Sequence, residues 1–568
     1  MILALEGVPL VIVSIIAFIL ILGVIILIHE GGHFFFARRA GILCHEFSIG
    51  MGPAIYKKKF KETTFCIRAI PIGGYVSMAG EEVTSELVKV GNQVGLNILD
   101  GKVSEIVTEE SMEAMVKGEI VDLDLYGQDG NPLFIEINDG FQNHYYEVLR
   151  DAHYVFKKGD KMQITPYDRS FESKSLWQRF LTLFAGPFMN FILAIFIYLI
   201  VCFASGMPNY ESRVIGSVST ANSNLIVEEA GEVDYLLKAG DEIIEVNGVK
   251  INSWSDLSKE LDKLLETSTT RVNLVILRDG ENKNVSFDCY TYIASLGLSN
   301  IEAPIKELPN GIPNGLILGN LALRYLDDGN KGEYPLAYGD VITKVRIDKV
   351  NADKTVEKGE VIVLETWNQM VEIFKNTDVA NVYFEYYSGS KNGIVSIDEC
   401  ATLQTYGNEV LDNQRIEKIQ IKIGISPTTH FDFFGSIGNA FTNFWSDFTL
   451  IFRTLALLIA PSSGIRQVGV SDLSSFVGIF DLVKTFIASG FLPLLAFAAM
   501  LSVNIGVMNL LPIPALDGGR IVFLGYELVT KKKPSKRVEN IINNVFFILL
   551  MILFVYVTFN DIMRMIRK

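Results

Sequence analysis

His29, Glu30 and His33 form an HExxH pattern within IILIHEGGHFFFARR. An α-helix advances about 100° per residue, so positions 29 and 33 differ by about 40° around the axis. Both imidazoles can then reach one cation, with the Glu30 carboxylate beside it. Two nitrogen ligands and a neighbouring general base suit metal-assisted hydrolysis of an amide, and zinc suits nitrogen and oxygen donors. A catalytic zinc site takes three protein ligands and an open position, so one ligand is missing from this motif. The pattern is short, and taken alone it also fits a solvated helix face.

The third donor must lie at a similar depth. MNLLPIPALDGGRIVF offers Asp517, placed after Asn509, Pro512 and Pro514. Prolines remove helical hydrogen bonds, and broken backbone at membrane depth is tolerated only inside protein or beside a wet cavity. An acid just beyond such a break is costly without a partner. Asp517 could instead cap a helix after a stop turn, but an HExxH at matching depth and sidedness favours a ligand.

The elements that carry these residues are apolar. Val8 to Ile28 is almost wholly hydrophobic, and Phe180–Gly206, Thr485–Leu511 and Ile541–Phe559 are similar runs. Each approaches or exceeds the roughly 20 residues that span about 30 Å of hydrocarbon. No Lys or Arg precedes the first run and no small-residue cleavage site follows it, so it reads as a retained helix rather than a signal peptide. Arg38, Arg39, Lys57, Lys58, Lys59 and Lys61 follow span one, and Lys531, Lys532, Lys533, Lys536 and Arg537 separate spans three and four. Both clusters are expected on the cytoplasmic side. The N-terminus and 207–484 then lie outside, as do Arg564, Arg567 and Lys568, against the same rule.

Composition agrees with a membrane protein. Of 568 residues 49% are hydrophobic, with a mean hydropathy of +0.30. The net charge of -15 argues against a nucleic-acid partner. Five scattered cysteines form neither a disulfide framework nor a zinc knuckle.

Between the runs lie water-soluble segments. In AGDEIIEVNGVKINSWSDLSKELDKLL a short strand meets an Asn247-Gly248 turn, and a helix starts near Ser253 or Ser255. Residues 315–425 repeat this order loosely, through YGDVITKV, ETWNQMVEIFKN and NVYFEYY. Both look like PDZ domains, which bind extended peptides by strand addition. A generic α+β module without a ligand fits the same pattern. Residues 81–170 suggest a small β-rich cytoplasmic domain of unread role. Phe434 to Ile459 carries an apolar stripe, read as a helix on the membrane surface.

HEGGHFFFARRAG, FSIGMGP, PIGGYVSM, GPFMN and NLLPIPALDGG, in that order, resemble the site-2 protease family (peptidase M50), in its bacterial RseP-type branch. The resemblance implies an intramembrane zinc endopeptidase that cuts transmembrane segments, for example of an anti-sigma factor or signal-peptide remnants. It implies one Zn2+ per chain on His29, His33 and Asp517, with Glu30 as base. It also implies that Asn509 helps to hold the substrate and that Phe65–Met78 forms a membrane-associated β-hairpin with an edge for it. Pro71, Gly73 and Gly74 suit a bent edge strand. Asn190, in GPFMN, reads as an interhelical hydrogen-bonding residue or as part of the substrate-positioning set. Three departures stand out: Gly31, where the family often carries a larger residue; LSSFVGI at Leu473–Ile479 in place of an LSGPVGI-like segment; and the long insertion 81–170. Glycine in a helix costs up to about 1 kcal/mol but admits a close backbone.

The expected fold is a multi-pass α-helical membrane protein (four transmembrane helices) with inserted α+β PDZ-like domains and a membrane-associated β-hairpin. Its parts are 1–40 with HExxH, the hairpin region 41–80, the insertion 81–170, and 171–210 with the second span. PDZ-like domains at 211–300 and 301–428 follow, then 429–484 with the amphipathic helix, 485–530 with the third span and 531–568 with the fourth. Expected partners are single-pass membrane protein substrates, the lipid bilayer and peptide ligands of the PDZ-like domains, in a bacterial plasma membrane. The rival reading is a non-proteolytic scaffold that binds peptides through those domains.

Overall fold

The computed structural model describes residues 8–80, 87–108, 113–156, 160–218, 226–229, 232–300, 315–321, 336, 339–351, 353, 355–389, 393–400, 402–405, 417–459 and 475–567. Two compact units emerge, each taken over its described residues. One comprises 1–201, 440–448 and 473–568; the other comprises 202–439 and 449–472.

In the first unit, α1 runs from Val8 to Arg39. Its apolar side chains at Ile12, Ile16, Leu20, Val24 and Leu27 are exposed, as lipid-facing positions would be. Leu22, Ile25, His29, His33 and Ala37 are buried at helical spacing, so both histidines lie on the face that packs inward. At Gly32, a Cβ would stand 2.5 Å from the Ala185 carbonyl oxygen, whereas nothing lies within 4 Å of a Cβ at Gly31. The glycine that admits a second backbone is therefore Gly32, not Gly31. Gly32→Ala is expected to cost about 2 kcal/mol or more through overpacking. Gly31→Ala should leave stability unchanged or raise it by up to ~1 kcal/mol. Thermal unfolding of the two variants in detergent checks this contrast.

The strands β1 (Cys44–Phe60) and β2 (Thr63–Met78) form more than a simple hairpin. Residues 46–49 pair with 64–67 on one side and with 74–77 on the other, while 56–60 pair with 63–67. Positions 65–67 are thus interior, and the edge expected within Phe65–Met78 narrows to 74–77. Gly73, at φ +74, supports the bend between the two halves of β2; a Cβ there would also meet the Met51 side chain at 2.9 Å. Glu62, in the turn, accepts from Arg169 at 2.6 and 3.0 Å and from Arg38 at 2.7 Å, tying the end of α1 to this sheet. These hydrogen bonds, Arg169's foremost, hold the Glu62 carboxyl down at about 2. A depressed carboxyl adds stability above its unfolded value of 4.5 and loses it as pH falls toward about 2. Glu62→Gln should therefore melt below the wild type at pH 6, and the two melting curves should converge by about pH 2.

The insertion closes on itself. Strands β3 (Gln93–Leu99), β4 (Lys102–Val107), β5 (Val116–Asp124), β6 (Phe134–Asn138), β7 (Asn143–Val155) and β8 (Lys161–Gln163) pair in the order β4-β3-β5-β6-β7-β8. A parallel β4–β7 ladder completes a five-stranded ring. Leu96, Ile106, Ile120, Ile135, Ile137 and Ile164 fill its interior.

Helix α2 (Leu176–Ser205) follows. Helix α3 (Phe433–Ile459) sets Phe444 and Phe448 edge-on against Phe191 of α2, and its Asp447 accepts from the Tyr198 hydroxyl. Part of the stripe expected on the membrane surface thus packs on a helix instead. The third run is also interrupted: α4 (Phe476–Ser489) and α5 (Phe491–Leu510) meet at Gly490, with φ 120. Residues 485–489 belong to α4, and Leu473 and Ser474 of the LSSFVGI segment lie outside the described residues. Then come α6 (Asp517–Thr530) and α7 (Lys536–Arg567). Among the described residues four helices are long and apolar enough to cross a membrane: Pro9–Arg39, Leu176–Ser205, Phe491–Leu510 and Arg537–Met563.

The second unit holds two α+β modules. In the first, strands 242–246 and 249–250 flank Asn247 (φ 49) and Gly248 (φ 83), and Ser253 caps a helix over Trp254–Glu266. In the second, Thr366 and Gln369 form a capping box on the helix Trp367–Asn376. The boundary expected at 300 is displaced. Strands 290–293 and 298–300 join the sheet of the second module, and Ile293, Leu296 and Leu298 lie in its core. Ile423 returns to the first core, and strand 425–427 pairs with 215–218. The second module is therefore inserted into the first.

Candidate metal centre

Helix α2 positions both histidines of α1. His33 Nδ1 donates to the Thr182 carbonyl at 2.8 Å, which leaves Nε2 free as a ligand. Gly186 makes room for this ring: a Cβ there would stand 2.2 Å from His33 Nε2. Pro187, without an N–H, leaves the Leu183 carbonyl without its helical donor in the turn beside this ring. His29 Nδ1 lies 3.2 Å from the Asn190 side-chain amide, whose second polar atom is buried without a protein partner. An imidazole that binds through Nε2 carries its proton on Nδ1, so the amide oxygen is the atom that suits this contact. Asn190 thus meets a histidine, and interhelical bonding describes it better than substrate positioning does.

Asp517 arrives from the other side. It opens α6, after a loop in which Ala515 adopts φ 77 and donates its N–H to the Asn543 side chain at 3.2 Å. The two glycines of LDGG are required by packing. A Cβ at Gly518 would meet the Leu511 carbonyl oxygen at 2.2 Å, and one at Gly519 would meet that of Ile513 at 2.4 Å. This fold-back brings Asp517 Oδ2 to 3.3 Å from His29 Nε2 and 3.3 Å from His33 Nε2. The two Nε2 atoms are themselves 3.3 Å apart.

Three donors at equal separations test the fit to a metal. A tetrahedral zinc with bonds of about 2.0–2.1 Å has ligand–ligand edges of about 3.3–3.4 Å. The observed triangle matches without rearrangement, and its chemistry, two neutral imidazoles and a carboxylate, suits zinc. Among the described residues, His29, His33 and Asp517 form a group whose ligand atoms are close enough together to hold one metal ion.

The family model "Peptidase family M50" matches residues 17–553. The chain belongs to peptidase family M50. Similar proteins include "Zinc metalloprotease RasP" of Oceanobacillus iheyensis, 29% identical over 97% of this chain and 99% of its own length. Proteins of the same name from Shouchella clausii and Bacillus licheniformis are each 28% identical, again over 97% of this chain. This M50 peptidase is a zinc metalloendopeptidase with four candidate membrane helices and strand-rich regions between them.

Around the centre, Glu30 interacts electrostatically with both imidazoles and with Asp517. A Cβ at Gly74, on the sheet edge, would approach Glu30 Cγ to 3.0 Å, so Glu30 lies against that edge. Asn509 lies in the last turn of α5, eight residues before Asp517. Sequence reasoning did not single out Thr182, Arg179, Glu527 or Asn543. A signal existed for part of this set: positions 179, 182, 186 and 190 fall within about 80° on one face of α2.

Proposed function

We propose that this M50 peptidase hydrolyses peptide bonds inside membrane-spanning segments of other proteins. His29, His33 and Asp517 hold the zinc, and Glu30 is the general base. The observation that carries this reading is the convergence of three ligand atoms 3.3 Å apart, two of them on a helix long and apolar enough to cross the membrane and the third at the start of α6. When bound, zinc lowers the pKa of a water toward about 7 and polarises the scissile carbonyl. Glu30 takes a proton from the attacking water and passes one to the leaving amide nitrogen.

A helical substrate shields its carbonyls, so it must unwind, and its freed backbone groups then need partners. Residues 74–77 pair with 46–49 on one side, and their other side can receive the unwound strand by β-addition. Gly73 shapes this edge and Gly74 keeps it close to Glu30; Asn509 steadies the bound strand. The basic clusters at 38–61 and 531–537 favour a cytoplasmic active site in a bacterial plasma membrane, with the two PDZ-like modules outside and available to extended peptides. Co-expression with single-span membrane proteins tests the proposal. Chelator-sensitive release of a cytoplasmic fragment is expected from the wild type. Cleavage confined to water-exposed loops would overturn it.

A further inference from the structure

Asp517 is carried by a different helix from the histidines, yet it must meet them within a few tenths of an ångström. The start of α6 does not secure itself, because its N-cap residue, Leu516, makes no side-chain cap bond. Near the other end, Glu527 accepts from both terminal nitrogens of Arg179, at 2.9 and 2.7 Å. The two side chains are 9% and 13% exposed. Arg179 Nε donates at 3.1 Å to the Lys174 carbonyl, just before α2, which orients the guanidinium plane. The same α2 holds His33 through Thr182 and His29 through Asn190, and its Asn190 carbonyl accepts from Ser502 of α5 at 2.8 Å.

We propose that the buried Arg179–Glu527 pair is a positioning device for the metal centre, setting the helix that carries Asp517 in register with the helix that orients both imidazoles. This inference rests on the zinc reading above. Ten residues separate Asp517 from Glu527, about 15 Å along a helix. Over that length a tilt of about 4° displaces one end by ~1 Å, enough to open a triangle that must hold to about 0.5 Å. A bidentate Arg–carboxylate pair fixes direction as well as distance, as a single-point contact does not. Arg179 and Glu527 touch neither the metal ligands nor the sheet edge in any hydrogen bond described, so both are positioning residues.

The test uses full-length protein in detergent and reads zinc binding by chelator competition, apart from turnover. Glu527→Gln is expected to weaken zinc binding at least tenfold. Its lost activity should return as free zinc is raised, with KM for the substrate unchanged. Arg179→Met combined with Glu527→Met removes both charges at similar volume and leaves neither buried alone, so it keeps the test open if the single variant misfolds. It should show the same zinc defect. If a folded variant binds zinc within twofold of wild type, the inference is overturned, even if its melting temperature has dropped. If the wild type itself binds no zinc, the metal reading falls and this inference falls with it. An altered KM with unaltered zinc binding would place the pair in substrate handling and overturn the proposal.

Discussion

Glu30→Gln is expected to lower the cleavage rate by about 10³-fold or more while the purified chain keeps one zinc. A positioned general base contributes roughly 10²–10⁴-fold. Glutamine matches glutamate in shape and cannot accept the water's proton at neutral pH, so the loss should fall on the chemical step. Glu30 is not among the three ligand atoms that converge, so metal content should be preserved. Single-turnover cleavage of a membrane substrate, alongside metal analysis, separates the two effects. Turnover near the wild-type rate would remove Glu30 from the mechanism.

Asp517→Ala is expected to strip the metal. Structural zinc sites are held by about 10–16 kcal/mol; shared over four ligands this is ~3 kcal/mol each, more than a hundredfold in Kd. The loss also leaves two imidazoles facing a gap where Oδ2 lay 3.3 Å away. Dialysis against a weak chelator should empty this variant and leave the wild type loaded. Equal metal content after dialysis would place the third ligand elsewhere.

What could be read from the sequence follows the range of the interactions involved. His29 and His33 were legible because both lie on one helix at a spacing fixed by its geometry. Asp517 needed a second argument, from the cost of an acid beside broken backbone at membrane depth. Asn190 was visible as polar in an apolar run, but its partner, His29, is 161 positions away and no local pattern names it. Gly31 and Gly32 differ in nothing local; only Ala185, supplied by α2, decides which of them must lack a side chain. The third run reads as one span because hydropathy continues through Gly490, while the break depends on that residue's positive φ. In the two α+β modules, turns and caps are local and legible. The strand 425–427, returning to pair with 215–218, was not, because strand pairing across two hundred residues leaves no periodic mark. The ring closure of β4 on β7 in the insertion is hidden for the same reason.

Zinc-edge X-ray absorption on the purified full-length protein, wild type and Asp517→Ala, reads the ligands of the His29–His33–Asp517 centre directly. One zinc per wild-type chain is expected, with two imidazole nitrogens and carboxylate oxygen at about 2.0–2.1 Å, and loss of bound zinc in the variant. Sulfur in the shell, a wild type without zinc, or an identical spectrum from the variant would contradict this assignment.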